Sequence, residues 1–247
     1  MSWKRRRAIR RMIIMTAVFA TLGVGVSIAL IAAGGGFDGS SPDIFNPPTE
    51  ADIWKVGDHI QDGMALEYIL TSRGELNSLE SARVFMNFDQ AGEDWNVTLT
   101  IANSTGQPLV NRTLIMSKEL TREGPLDESF RPYFEHIMSS IFAVRDMEYG
   151  ESPKYLVVGA PWDTIFVGSS SVTVRVTNEE RVDTPAGTFD SFVLSYKLAE
   201  VTSKIWVVRD MPLPVKAEVY DAEDKLLYQY ELVSASGVPS ASIGNSL

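Results

Sequence analysis

Apolar residues recur at every second position through most of the chain. Leu66, Tyr68 and Leu70 alternate with more polar neighbours, as do Val84, Met86 and Phe88, and Trp95, Val97, Leu99 and Ile101. The pattern returns in Val172, Val174 and Val176, and in Phe192, Leu194, Tyr196 and Leu198. Lys204-Ile205-Trp206-Val207-Val208 is a denser run, followed by Val215, Ala217 and Val219, then Leu226, Tyr228, Tyr230 and Leu232. Side chains of a strand point to opposite faces in turn, so each run predicts a strand with one face on a core. Turn chemistry separates the runs at Gln90-Ala91-Gly92, Thr105-Gly106-Gln107-Pro108, Pro185-Ala186-Gly187 and Asp221-Ala222-Glu223-Asp224. Such short connections predict an antiparallel meander.

One segment follows a different period. From Asp127 to Ala143, Phe130, Phe134, Ile137, Met138, Ile141 and Phe142 recur at offsets that share one face of an α-helix, with Pro132 in its first turn. A curved sheet needs its concave face filled, so these side chains either plug it or line a cavity for an apolar ligand.

The front of the chain carries Lys4, Arg5, Arg6, Arg7, Arg10 and Arg11, followed by an uncharged apolar stretch from Met12 to Ala33. As a helix that stretch would rise about 33 Å, enough for a hydrocarbon core of about 30 Å. The positive flank predicts a cytoplasmic N-terminus and an extracytoplasmic remainder. Cleavage as a signal peptide, with Ser27-Ile28-Ala29 as the cleavage sequence, is the rival expectation, and the apolar core is longer than such signals carry. The expected order is therefore a basic segment at 1–11, an anchor in the lipid bilayer at 12–33 and a Gly/Ser/Pro tether at 34–52. A β-rich domain at 53–233 and a disordered tail at 234–247 follow.

Of the 22 basic and 32 acidic residues, the six named above precede Met12, which leaves 16 against 32, a net of −16 on the remainder. Such a surface repels nucleic-acid phosphates, so no nucleic-acid partner is expected. The chain has no cysteine, which excludes a lipobox, thiolate metal sites and a thiol nucleophile. His59 and His136 are its only histidines, too few for a multi-histidine metal site, and neither lies near a Gly-x-Ser-x-Gly pattern. The acidic turns around Asn87, Asp89, Glu93 and Asp94, and around Asp221, Glu223 and Asp224, lack calcium-loop spacing. No catalytic residue, metal or cofactor is therefore assigned.

Three Asn-x-Ser/Thr triplets crowd one hairpin, at Asn96, Asn103 and Asn111, and are candidates for glycosylation. Pro161, Trp162 and Phe166 bracket a short apolar stretch that is either an exposed partner-docking loop or part of the core.

Val182-Asp183-Thr184-Pro185-Ala186-Gly187-Thr188-Phe189-Asp190 resembles a hairpin of exported LolA-like and DUF3108-like domains. Lys204-Ile205-Trp206-Val207 and Leu213-Pro214-Val215-Lys216-Ala217-Glu218 resemble the strands that follow it there. The resemblance covers the C-terminal part only. It implies an incomplete, strongly curved β-barrel with a helix packed in its mouth, used in some members to hold a lipid acyl chain. The layout as a whole, with Ser139 to Val176, is similar to membrane-anchored surface proteins of archaea. The expected fold class is thus mainly β (α+β): an N-terminal transmembrane helix plus a curved antiparallel sheet or incomplete barrel with one covering helix.

Three functions fit these features. The first is a non-enzymatic binding or assembly module that engages a membrane protein complex or envelope component. The second is a carrier or sensor of an apolar ligand such as lipid in a half-barrel cavity. The third is a hydrolase, which requires a cleft with converging ionisable groups.

Overall fold

Eleven strands form a single antiparallel sheet in the computed structural model, which describes residues 48–73, 78–147, 153–167 and 170–238. The basic cluster, the expected membrane span and residues 239–247 lie outside the described residues. Among those described, no helix is long and apolar enough to cross a membrane.

The first half of the domain supplies β1 (Met64–Arg73), β2 (Ser78–Ala91), β3 (Asp94–Ala102), β4 (Pro108–Met116) and the short β5 (Arg122–Glu123). Two helices follow, α1 (Arg131–Met138) and α2 (Ala143–Asp146). The second half supplies β6 (Pro161–Val167), β7 (Ser170–Thr184), β8 (Gly187–Leu198), β9 (Val201–Val207), β10 (Lys216–Tyr220) and β11 (Leu226–Ser236). Each half is a plain meander, and the two meet where β1 pairs with β11, giving the order β5-β4-β3-β2-β1-β11-β10-β9-β8-β7-β6. In the first meander the alternating positions take the inner face as their period requires: Leu66, Tyr68, Leu70, Val84, Met86, Phe88, Val97, Leu99 and Ile101 are all buried. In β8 the expected alternation of Phe192, Leu194, Tyr196 and Leu198 is lost, with Phe192 and Leu198 only half-buried and Val193 and Ser195 buried beside Leu194 and Tyr196. At the Pro185-Ala186-Gly187 turn, Gly187 sits at φ +135°, a backbone angle that side-chain-bearing residues avoid.

The sheet curls. Ala186 at the β7–β8 turn donates its N–H to the Leu232 carbonyl of β11 at 3.2 Å, although β9 and β10 lie between those strands in the sheet. This is possible because β9 and β10 are short and their connection folds inward, with Met211, Leu213, Pro214 and Val215 buried. The Tyr68 hydroxyl donates to the Pro214 carbonyl at 3.2 Å and the Trp54 indole N–H to that of Met211 at 3.0 Å, tying this link to the inner face.

The helical segment differs from the expectation of one helix over Asp127–Ala143. The Asp127 carboxylate accepts from the Ser129 N–H at 2.8 Å and its hydroxyl at 2.7 Å, which delays the helix to Arg131. Those bonds hold the Asp127 carboxyl below its usual range, with Arg112 adding to the effect. At the other end the Ser139 hydroxyl donates to the Glu135 carbonyl at 2.8 Å, and the Ser140 hydroxyl bonds to that of His136. The Phe142 N–H reaches back to Ile137 at 3.0 Å, so the chain turns before resuming as α2. The domain also extends past the expected limits. Thr49 and Asp52 cap a 3-10 turn over Glu50–Asp52, whose Asp52 carboxylate meets Arg209 at 3.3 Å. At the far end β11 runs to Ser236 because Ala65, Leu66 and Glu67 pair with Ser236, Ala235 and Ser234.

Two expectations follow from this packing. Ile137 is fully buried and Met138 only partly, so Ile137→Ala should cost about 2–5 kcal/mol in urea unfolding and Met138→Ala well under half of that loss. Burial also pushes the Tyr68, Tyr228 and Tyr230 phenols above their ordinary value of 10.0. The fold favours their neutral forms while the unfolded chain ionises near pH 10, so stability is intact below that pH and falls above it. The slope should be about 1.4 kcal/mol per phenol per pH unit. The phenolate absorbance of these three side chains should therefore rise together with unfolding, not ahead of it.

Candidate functional site

The inner face is occupied by the chain itself. Phe130, Ile137, Ile141 and Phe142 each have 0 % exposure and Phe134 is also buried, so no water-sized space adjoins the first four. Met138 is half-buried against the same core. Trp162 is not on an exposed loop: it lies in β6 with 2 % exposure, its ring 5.6 Å from that of Trp54. Its indole N–H donates to the Tyr155 carbonyl at 3.0 Å. Pro161 is exposed at the start of that strand, and the Phe166 side chain is outside the described ones.

A polar pair hidden in this core joins residues 64 apart in sequence: the Ser72 hydroxyl is 3.0 Å from His136 Nδ1. That spacing suits a nucleophile and its base, but Ser72 is 3 % exposed and His136 6 %, so no carbonyl substrate reaches the hydroxyl. Its effect is to fasten α1 to β1. His59 is exposed with φ 69°. Among the described residues, no group of three or more His, Asp or Glu side chains is placed to hold a metal ion. Asp221 Oδ1 is engaged in its own turn, accepting from the N–H groups of Glu223 and Lys225, both at 2.9 Å.

Side chains take one backbone group near each end of the sheet, on β4 beyond the reach of β5 and on β6. Arg112 turns its guanidinium onto the Asn111 carbonyl of β4 at 2.7 Å, and Asp163 accepts the Thr164 N–H of β6 at 2.7 Å. Charged side chains so placed discourage addition of another strand.

The outer face is different. At the seam of the two meanders, a half-open groove of about 160 Å³ is lined by Ile69, Thr71, Ser81, Lys216, Glu218, Gln229 and Glu231. Register explains the assembly: Ile69 opposes Glu231, which opposes Lys216, while Thr71 opposes Gln229, which opposes Glu218. The β1–β2 register slips between Leu70 and Ser72, Ser81 adopts φ 49°, and its N–H is taken by the Thr71 hydroxyl at 3.1 Å. Lys216 Nζ lies 2.7 Å from Glu231 and 3.5 Å from Glu218. Burial works to lower the Lys216 ammonium, yet the two carboxylates together raise it above its usual value.

Next to the groove, Trp206 is held edge and face. Its indole N–H donates to Glu180 at 2.6 Å, and Lys216 and Lys204 approach the ring at 5.5 and 5.9 Å. The indole bond keeps the Glu180 carboxyl below its usual range, against partial burial. On the other side Arg83 meets Glu67 at 2.5 Å, and Ser234 donates to the same carboxylate at 3.2 Å.

The sequons lie on the β3–β4 hairpin. Asn96 and Asn111 occupy the outer face of the strands, where Thr98 opposes Thr113 and Thr100 opposes Asn111, while Asn103 is in the turn between them.

No family model matches the chain, nor does any curated protein sequence. Among solved structures, a "putative lipoprotein" from Parabacteroides distasonis ATCC 8503 is similar at 13% identity and TM-score 0.37, over 76% of this chain and 100% of that one. MucB is similar at 10% identity and TM-score 0.35, over 75% of this chain and 56% of that one. In the Pseudomonas aeruginosa MucA/MucB complex the figures are 12% and 0.36, over 72% of this chain and 52% of that one. The chain thus spans about half the length of the MucB chains it matches.

Proposed function

We propose that the folded unit is a non-enzymatic, extracytoplasmic binding or assembly module, tethered to the membrane through Met12–Ala33. Its partner is a protein component of the membrane or envelope, engaged through the outer-face groove. The carrying observation is the size and lining of that groove. About 160 Å³ is well below the roughly 300–1,000 Å³ of small-ligand pockets, but it accepts a single protruding side chain. Two carboxylates there, about two-fifths exposed, share one ammonium that is only 19% exposed. The surplus acceptors favour a Lys or Arg from the partner, at the centre of a face with Ile69 as its apolar floor.

The inner face, the edges and the buried Ser–His pair favour this reading by being engaged, although a second outer-face cleft of about 340 Å³ lies open beside Glu179, Arg181 and Asp190. Among the described residues, α1, α2 and the β9–β10 link bury their apolar side chains in the core, which favours a filler over a ligand wall. A charged side chain takes one backbone group near each end of the sheet. The one buried Ser–His pair is closed to substrate.

Purification of the full chain from its native membranes in mild detergent, with mass spectrometry of bound proteins and lipids, tests the proposal. Glu231→Lys should lower the yield of a specific protein partner at least tenfold, while Glu223→Lys on the distant β10–β11 turn should leave it unchanged. Retention of that partner by the Glu231 variant, or stoichiometric lipid with no protein, would overturn the proposal.

A further inference from the structure

We infer that Asn103 is the occupied N-glycosylation site of the chain, and that Asn96 and Asn111 are left bare once the sheet has formed. The inference rests on the extracytoplasmic placement proposed above and concerns a different surface from the groove.

All three sequons satisfy the triplet rule, so the choice between them is structural. Asn103 opens the β3–β4 turn. Its Oδ1 accepts three bonds, from the Thr105 N–H at 3.1 Å, the Thr105 hydroxyl at 2.7 Å and the Gln107 N–H at 2.9 Å. None of them uses Nδ2. Glycosyl transfer forms a bond from Nδ2 to the anomeric carbon of a sugar carried on a lipid phosphate. The carbon–oxygen bond to phosphate breaks, the phosphate leaves with the electron pair, and Nδ2 gives up one proton to a base of the transferase. The amide carbonyl survives that exchange, so the turn cap survives it as well. Asn103 is itself half-buried, like Asn96, but Ser104, Thr105, Gly106 and Gln107 beside it are all exposed, which gives a transferase the loop it must grip.

The other two sites are built into the ladder. Asn96 is half-buried near the start of β3, opposite Asp89 on one side and Ile115 on the other. Cross-strand neighbours at about 4.5–5.5 Å flank it on both sides, so its backbone is held in the ladder. Asn111 is exposed, but its Nδ2 is the donor of a 2.6 Å bond to the Thr100 hydroxyl. The sequon hydroxyls do not decide between the sites, since Thr98 and Thr113 share a 2.9 Å bond and Thr105 is bonded to Asn103, but the Asn111 main-chain carbonyl is held by Arg112. A transferase that takes the triplet as a free loop must draw Asn96–Thr98 or Asn111–Thr113 out of the β3–β4 ladder, whereas Asn103, Ser104 and Thr105 lie outside any strand.

Glycopeptide mapping of the wild-type chain from its native membranes tests the inference. Cleavage at Arg83 and Arg112 leaves all three asparagines on one peptide, so fragmentation has to localise the sugar within it. The expected result is a glycan on Asn103 in most molecules and less than a tenth of that occupancy on the other two. Thr105→Ala should remove the added mass, and Thr105→Ser, which keeps the hydroxyl, should retain it. A bare Asn103 in chains whose domain is digested by protease added outside intact cells would overturn the inference while leaving the placement standing. Equal occupancy at Asn96 or Asn111 would also overturn it. Protection of the domain from external protease would remove the placement and the inference together.

Discussion

The pairing of β1 with β11 is the constraint on which the rest of the domain depends. Each meander is local and would leave an open edge, but Glu67 and Ser234 stand 167 residues apart and meet only when the two meanders join. That union sets Tyr68 edge-on to Tyr230 at 5.7 Å and brings Leu70 opposite it, so the centre of the core is made at the seam. It makes the groove as well: Ile69 and Thr71 come from one meander, Lys216, Gln229 and Glu231 from the other. A closure between such distant segments has an entropic cost before its contacts form, which raises the contact order of the fold and slows folding.

A sheet of this width must bury its curved inner face or pay for exposing it. The chain meets that demand with two pieces of its own, the α1–α2 segment and the β9–β10 link. Both are fixed by polar bonds in addition to apolar contact: Ser72 with His136 for the helix, Tyr68 and Trp54 with the link carbonyls. A buried hydroxyl left without its partner would be costly, so these bonds select one placement of the filler over others of similar apolar content. The outer face carries the groove at which recognition is proposed.

Much of this was legible in the sequence, for physical reasons that name particular residues. The period-two runs marked the strands because a strand's alternation is local and strict, as in Leu66, Tyr68 and Leu70. The Pro185-Ala186-Gly187 turn was visible because proline and glycine restrict or permit backbone angles by themselves. The ends of α1 were not, since they depend on whether Ser129, Ser139 and Ser140 turn their hydroxyls onto the backbone. The position of Trp162 was open because a burial partner such as Trp54 has no sequence signature. Long-range pairings were invisible for the same reason: Ser72 with His136, and the Lys216–Glu231 pair, exist only through strand register. The groove therefore could not have been found from the sequence, although Ser81 in its left-handed backbone and the slip beside it mark the place in three dimensions.

The central claim is that α1 belongs permanently to the core and that recognition happens outside. Hydrogen exchange of the backbone amides of α1, followed with and without anionic phospholipid vesicles, tests it most directly. Protection of Phe134 and Ile137 comparable to that of β1, unchanged by lipid, is the predicted result. Rapid exchange of those amides together with slowing of β1 exchange when vesicles are added would show a plug that yields its place to an acyl chain, and would contradict the account.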